Sequence, residues 1–225
     1  MAAFKTSDNV GLTYAIAQGD VVSARHAIAA GADVNLEEKN GMTPLMYGVW
    51  SGNVELVGLL IQKGADVNAK NDFGNTPLMF AAMESRHDMA RLLIGAAADV
   101  NAQDNKGHSA IVKAISNRDI EMVRILALGK ADIHLDDNDG WTPLIWAAAI
   151  GSAEVIDYLV KNGAQINEGD FDGITALEYA TTLKRPEAVN VLIRAGADIS
   201  VYSDLADLER KVDDAFNEAG IKFDD

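Results

Sequence analysis

Four histidines are the first residues to test for chemistry, because a neutral imidazole can ligate a metal or move a proton near neutral pH. His26, His87, His108 and His134 fall at unrelated places, and none has a second histidine or a carboxylate at a metal-ligand spacing. Two acid-rich loops, Asp136-Asp137-Asn138-Asp139-Gly140 and Glu168-Gly169-Asp170-Phe171-Asp172-Gly173, carry the oxygen ligands that calcium prefers. In EF-hand register, however, the place that requires a bidentate Glu holds Trp146 in one and Tyr179 in the other. A solvated loop face is the simpler reading. The chain has no cysteine, which excludes thiolate nucleophiles, disulfides and cysteine-ligated metals together. It also has no Gly-x-Ser-x-Gly, no glycine-rich phosphate loop and no His-Glu-x-x-His. No catalytic residues, cofactor or metal are therefore expected, and the protein is not expected to be an enzyme.

Recognition is the better-supported chemistry. The 225 residues are 48% hydrophobic and 24% charged, the balance of a soluble folded chain with a full core. No apolar run approaches the roughly 20 residues of a spanning helix, and the N-terminus lacks the basic and apolar stretches of a secretory leader. Acids outnumber bases 34 to 19, for a net charge of −15. A field of that sign repels phosphates, so neither nucleic acid nor an anionic membrane is expected as a partner. The charge is uneven. Residues 1–130 hold 14 acids and 12 bases, whereas residues 131–225 hold 20 acids and 7 bases.

The elements that position these residues are repetitive. Gly41-Met42-Thr43-Pro44-Leu45 recurs as Gly74-Asn75-Thr76-Pro77-Leu78 and Gly140-Trp141-Thr142-Pro143-Leu144, with weaker copies at Gly107 and Gly173, always 33 residues apart. A second anchor keeps the same period, from Gly31-Ala32-Asp33-Val34-Asn35 through Gly64-Ala65-Asp66-Val67-Asn68 to Gly196-Ala197-Asp198-Ile199-Ser200. Within each unit the residue types predict a helix pair and a loop. Thr43 caps a helix that Pro44 opens and Gly52 stops. Asn53 caps a second, whose Val54, Val57, Leu60 and Ile61 form one stripe, and Gly64 ends it. The polar segment 65–74 suits a hairpin-like loop. One unit alone cannot bury its apolar face, so neighbours must share an elongated core.

The period, Thr-Pro-Leu and Gly-Ala-Asp-Val-Asn resemble the ankyrin repeat over about residues 8–200. The resemblance implies an all-α solenoid of about six helix-turn-helix units: an N-terminal capping repeat at 1–35, then repeats two to six at 36–68, 69–101, 102–134, 135–167 and 168–200. A C-terminal capping helix and tail at 201–225 is expected from the stripe Leu205, Leu208, Val212 and Phe216. One departure recurs: where the family often has His after Thr-Pro-Leu, this chain has Met46, Met79, Val112, Ile145 and Glu178, and apolar packing is the expected substitute for that histidine's hydrogen bonds.

The resemblance also implies a protein-binding surface of loop tips and first-helix faces. By register it offers Lys39, Met42 and Trp50 from the second repeat, and Asp72, Phe73 and Met83 from the third. Lys106 and His108 come from the fourth, Asp137, Asp139, Trp141 and Ile150 from the fifth, and Asp170, Phe171 and Asp172 from the sixth. Large aromatics and Met on such a surface are typical anchors; for Trp141, packing on its own neighbouring loop is an equal alternative. The acids are expected at solvent-screened loop tips. A second column, Tyr47, Phe80, Lys113, Trp146 and Tyr179, reads as packing between repeats. The expected function is a non-catalytic, monomeric protein-binding module whose partner has a basic patch. It would regulate or inhibit that partner, for example as an immunity-type protector of an enzyme, or else bridge two proteins as an adaptor. The cytoplasm is the default compartment, and a bacterial periplasmic or secreted protein with its leader removed is the alternative.

Overall fold

The computed structural model describes residues 2–200, 202 and 210, with side chains described from residue 8 onward. The expected C-terminal helix lies outside the described residues. Twelve α-helices and one 3-10 turn, at Lys39–Gly41, make up the regular structure among them. The helices are α1 (Ala2–Gln18), α2 (Val21–Ala29), α3 (Pro44–Ser51), α4 (Val54–Gln62), α5 (Pro77–Met83) and α6 (His87–Gly95). They continue as α7 (Ala110–Ser116), α8 (Ile120–Leu128), α9 (Pro143–Ile150), α10 (Ala153–Lys161), α11 (Ala176–Thr182) and α12 (Pro186–Arg194). Over the described residues the chain forms two compact units, one from within 1–113 and 124–131, the other from within 114–123 and 132–225.

In the first unit α1, α3 and α5 pack side by side, and α2, α4 and α6 form a second layer against them. In the second unit α9 packs on α11, α10 on α12, and each helix on its own pair mate. The buried residues of α3 (Leu45, Met46, Val49) and α4 (Leu56, Val57, Leu60) have no exposed surface and meet across the layers. The same register recurs at Leu144, Ile145, Val155, Ile156 and Leu159 in the second unit.

Local chemistry explains the element ends. Thr43, Thr76, Thr142 and Thr175 each accept a hydrogen bond from the N–H three residues on, and Pro occupies the first helical turn after the first three. The fourth repeat has Ser109 here. Its Oγ is buried and makes no hydrogen bond. Where the family's histidine would stand, Met46, Met79, Val112 and Ile145 are buried at 1% exposure or less, as expected for apolar packing. Glu178 differs: it closes a capping box with Thr175. α1 is 17 residues long against eight for α3, because no Thr-Pro pair sets a start near residue 10.

The second helix of each repeat ends in a left-handed residue. Glycine fills that place at 31, 64, 163 and 196, but Ala97 (φ 66°) and Lys130 (φ 71°) adopt it with a Cβ. Neighbouring repeats are tied by asparagine clamps. Asn35 accepts from the Asp66 N–H at 2.7 Å and donates to the Gly64 carbonyl at 3.1 Å. Asn68 treats Asp99 and Ala97 the same way at 2.7 and 3.4 Å.

Candidate functional site

The hairpin loops carry both the candidate residues and the groups that hold them. In five successive loops, the N–H of Glu38, Asn71, Asp104, Asp137 or Asp170 donates to the carbonyl four residues later, closing a tight turn. From Asn71 onward, the side chain at this place accepts two backbone N–H groups with one oxygen. Asn71 Oδ1 takes those of Phe73 (3.0 Å) and Asn75 (2.9 Å). Asp137 Oδ1 takes those of Asp139 (2.9 Å) and Trp141 (3.0 Å), and Asp170 Oδ1 those of Asp172 (3.0 Å) and Ile174 (2.9 Å).

The second carboxylate oxygen is met by the residue nine places on. Lys113 Nζ lies 2.6 Å from Asp104 Oδ2, Trp146 Nε1–H donates to Asp137 Oδ2 at 2.8 Å, and the Tyr179 hydroxyl donates to Asp170 Oδ2 at 2.5 Å. In the third repeat the ninth residue is Phe80, which has no donor, and its partner is the uncharged Asn71. The column read as packing between repeats is therefore also a set of polar rungs within repeats. Burial alone would raise the pKa of Asp170, but the Tyr179 hydroxyl and the N–H groups of Ile174, Asp172 and Gly173 outweigh it and hold the carboxyl below its ordinary value. Burial and Asp170 together push the Tyr179 hydroxyl up to about 12.

This geometry corrects one expectation. Asp137 and Asp170 do not stand in solvent at loop tips: they are only 5% and 9% exposed, turned inward to accept two loop N–H groups and the rung donor. Asp139 and Asp172 in the same loops are exposed, as are Asp72, Lys39 and Lys106. The ring partners of Trp141 lie on helices α9 and α11 rather than on its own neighbouring loop. Trp141 is half-buried, with its ring 5.0 Å from Trp146 and 4.4 Å from Tyr179 between centroids. His108 is half-buried beside Lys113, with Nδ1 3.3 Å from Nζ. Met42 is half-buried, its sulfur 3.7 Å from the Asn71 amide nitrogen. Met83 and Ile150 are also half-buried, and the Ile150 carbonyl accepts from Arg118.

Three aromatic candidates remain open to solvent: Trp50 at 56%, Phe73 at 60% and Phe171 at 73% exposure. Trp50 and Phe73 lie in the first unit and Phe171 in the second. Phe171 rests above Gly140, where a Cβ would come within 2.7 Å of its ring and its backbone N. Sequence reasoning missed the N-terminal neighbours of Trp50. Val10 and Tyr14 on α1 are each 68% exposed, and with Thr13, Ala17, Leu36 and Glu38 they line a cleft of about 590 Å³. Glu38 was legible: it holds the place of Asn71 and Asp104, one and two periods earlier.

Among the described residues no group of three or more His, Cys, Asp or Glu is placed to hold a metal ion. No helix of these residues is long and apolar enough to cross a membrane.

A family model of three ankyrin repeats matches residues 5–71, 67–137 and 111–203. The chain belongs to the ankyrin repeat family. Among solved structures it is similar to an ankyrin repeat domain from Acinetobacter baumannii AYE, with 29% identity and a TM-score of 0.76 over 83% of this chain and 98% of that one. A search of curated proteins finds no match. The class is that of protein–protein interaction modules built on an all-α repeat fold, which is typically non-catalytic.

Proposed function

We propose that this chain binds a partner protein through the exposed aromatics of its loops and first helices, and regulates or inhibits that partner, as an immunity-type protector does an enzyme. The observation that carries the reading is the exposure of Trp50 on α3, of Phe73 in the loop that Asn71 closes, and of Phe171 in the loop held by the Asp170–Tyr179 rung. Rigid, solvent-facing aromatics bind at little entropic cost and are frequent hot spots. Asp72, Asp139 and Asp172 stand exposed beside them, which suits a partner with a basic patch. The protein acts as a monomer in this reading.

The test is capture of partners from native lysate, comparing the parent with a Trp50→Ala/Phe73→Ala variant and with Phe171→Ala. The reading expects one basic protein, lost from the variants, and an enzyme whose activity falls when the parent is added. A second reading draws on the placement of the aromatics in two separate units: an adaptor would hold one protein on Trp50 and Phe73 and another on Phe171. Complexes of higher than one-to-one stoichiometry, with each variant losing a different protein, would establish it.

A further inference from the structure

Beside Trp50 the first unit holds a cleft of about 440 Å³ lined by Thr13, Ile16, Ala17, Glu38, Tyr47, Trp50 and Ser51. It shares Thr13, Ala17 and Glu38 with the neighbouring cleft that Val10 and Tyr14 border. The walls are aromatic and aliphatic, and the charge is a single carboxylate. Glu38 is half-buried and accepts from the Thr13 hydroxyl. Among the described residues no lysine, arginine or histidine of this chain pairs with it. The corresponding acids Asp104, Asp137 and Asp170 each receive a donor from nine residues on. Tyr47, nine residues after Glu38, sits in the same cleft, and burial and the charge of Glu38 raise its hydroxyl's pKa above the ordinary value.

We propose that this cleft receives a lysine or arginine side chain of the partner protein, its alkyl stem against Trp50 and Tyr47 and its cation on Glu38. Long basic side chains bury their stems on apolar surface while the head keeps a polar contact. Aromatic faces attract the cation as well, and a carboxylate partly removed from water attracts it more strongly than one in bulk solvent. The overall charge of −15 brings such a partner in. The inference rests on the protein-binding reading above and names the chemistry of one contact within it.

The test is an NMR titration of the full chain with the capped peptide Leu-Lys-Leu. Its controls are the norleucine peptide, which keeps the stem without the charge, and n-butylammonium alone. The lysine peptide should move the Trp50 indole N–H and the Thr13 and Ser51 amides, on the order of tenfold more tightly than either control. Glu38→Gln, which keeps an oxygen for the Thr13 hydroxyl, should weaken it by a similar factor, and Leu128→Ala, at an exposed residue outside the cleft, should leave it unchanged. Equal response to lysine and norleucine, shifts elsewhere, or indifference to Glu38→Gln would overturn the proposal. Butylammonium binding as tightly as the peptide would make a small cation the ligand and overturn it too. A captured partner that tolerates Glu38→Gln but not Phe171→Ala would remove this contact and keep protein binding. Peptide binding without any captured protein would keep the cleft's chemistry and remove the reading it rests on.

Discussion

Replacing Tyr179 by Phe isolates one rung. The change deletes a hydroxyl that donates to Asp170 Oδ2 at 2.5 Å and keeps the ring that lies 4.4 Å from Trp141. Asp170 is 9% exposed, so little water is at hand to replace the lost donor. A hydrogen bond to a charged group contributes about 1.5–3 kcal/mol, so Tyr179→Phe should cost about 2 kcal/mol. Asp170→Asn keeps Oδ1 as acceptor for the Asp172 and Ile174 N–H groups and should cost about 1 kcal/mol. The double variant reproduces the Asn71 and Phe80 pair of the third repeat, and should cost less than the sum of the single changes by about 1–2 kcal/mol. Urea melts followed by circular dichroism measure all three. The folded Asp170 pKa is depressed, so its contribution is present above the unfolded value near 3.9 and is lost as pH falls through the folded value. The gap between parent and Tyr179→Phe should therefore narrow below about pH 4. Tyr179 is raised to about 12, so its contribution is present below about pH 10 and is lost as pH climbs through the folded value. Additivity within about 0.5 kcal/mol, or a gap that stays constant down to about pH 3, would refute the rung.

Lys130→Gly and Ala97→Gly should each stabilise the fold by about 1 kcal/mol, and Gly64→Ala should destabilise it by a similar amount, since a Cβ there meets nothing within 4 Å and only the left-handed backbone resists it. Thermal melts read this as shifts of about 2–4 °C. Thr142→Ala should cost about 1 kcal/mol, whereas Ser109→Ala should be close to neutral, because the Ser109 hydroxyl is buried without a partner; equal losses in denaturant melts would contradict the distinction. Hydrogen exchange should be fastest among the internal repeats near residues 105–130, where Ser109, Arg118 (φ 56°) and Lys130 fall together. Asn substitutions at Asp72, Asp139 and Asp172 should slow association with a basic partner and flatten its salt dependence. Trp50→Ala should instead speed dissociation, by about 2 kcal/mol; surface-based kinetics at two ionic strengths separate the two.

The helix ends were legible because they follow from single residues. Thr43 with Pro44, Asn53 and the glycines at 52 and 64 act at the places their chemistry dictates. Burial of the loop acids was not legible in the same way. An aspartate in Asp-Asp-Asn-Asp-Gly reads as solvated until it is seen that one oxygen satisfies two N–H groups and the other meets a donor from the following helix. That donor lies nine residues away, outside any local motif. Comparing the columns at 38 and 47 across the period exposes the pairing, because Asn stands with Phe and Asp with Lys, Trp or Tyr. The cleft at Glu38 was hidden for a related reason: Thr13, Ile16 and Ala17 in its wall come from α1, whose sequence departs from the repeat.

The asparagine clamps and the acid rungs have a bearing on how such a chain changes length. Each rung closes inside one 33-residue period, and each clamp of Asn35 and Asn68 reaches only the next. A tandem duplication of residues 36–68 would hand the new copy every donor and acceptor that the old one used. An insertion of three or four residues in a loop would instead pull Asn35 away from the Gly64 carbonyl and strand both groups. Growth by whole periods costs this architecture no polar contact, whereas growth by fragments does, and the genetic route to a longer or shorter binding surface is correspondingly narrow.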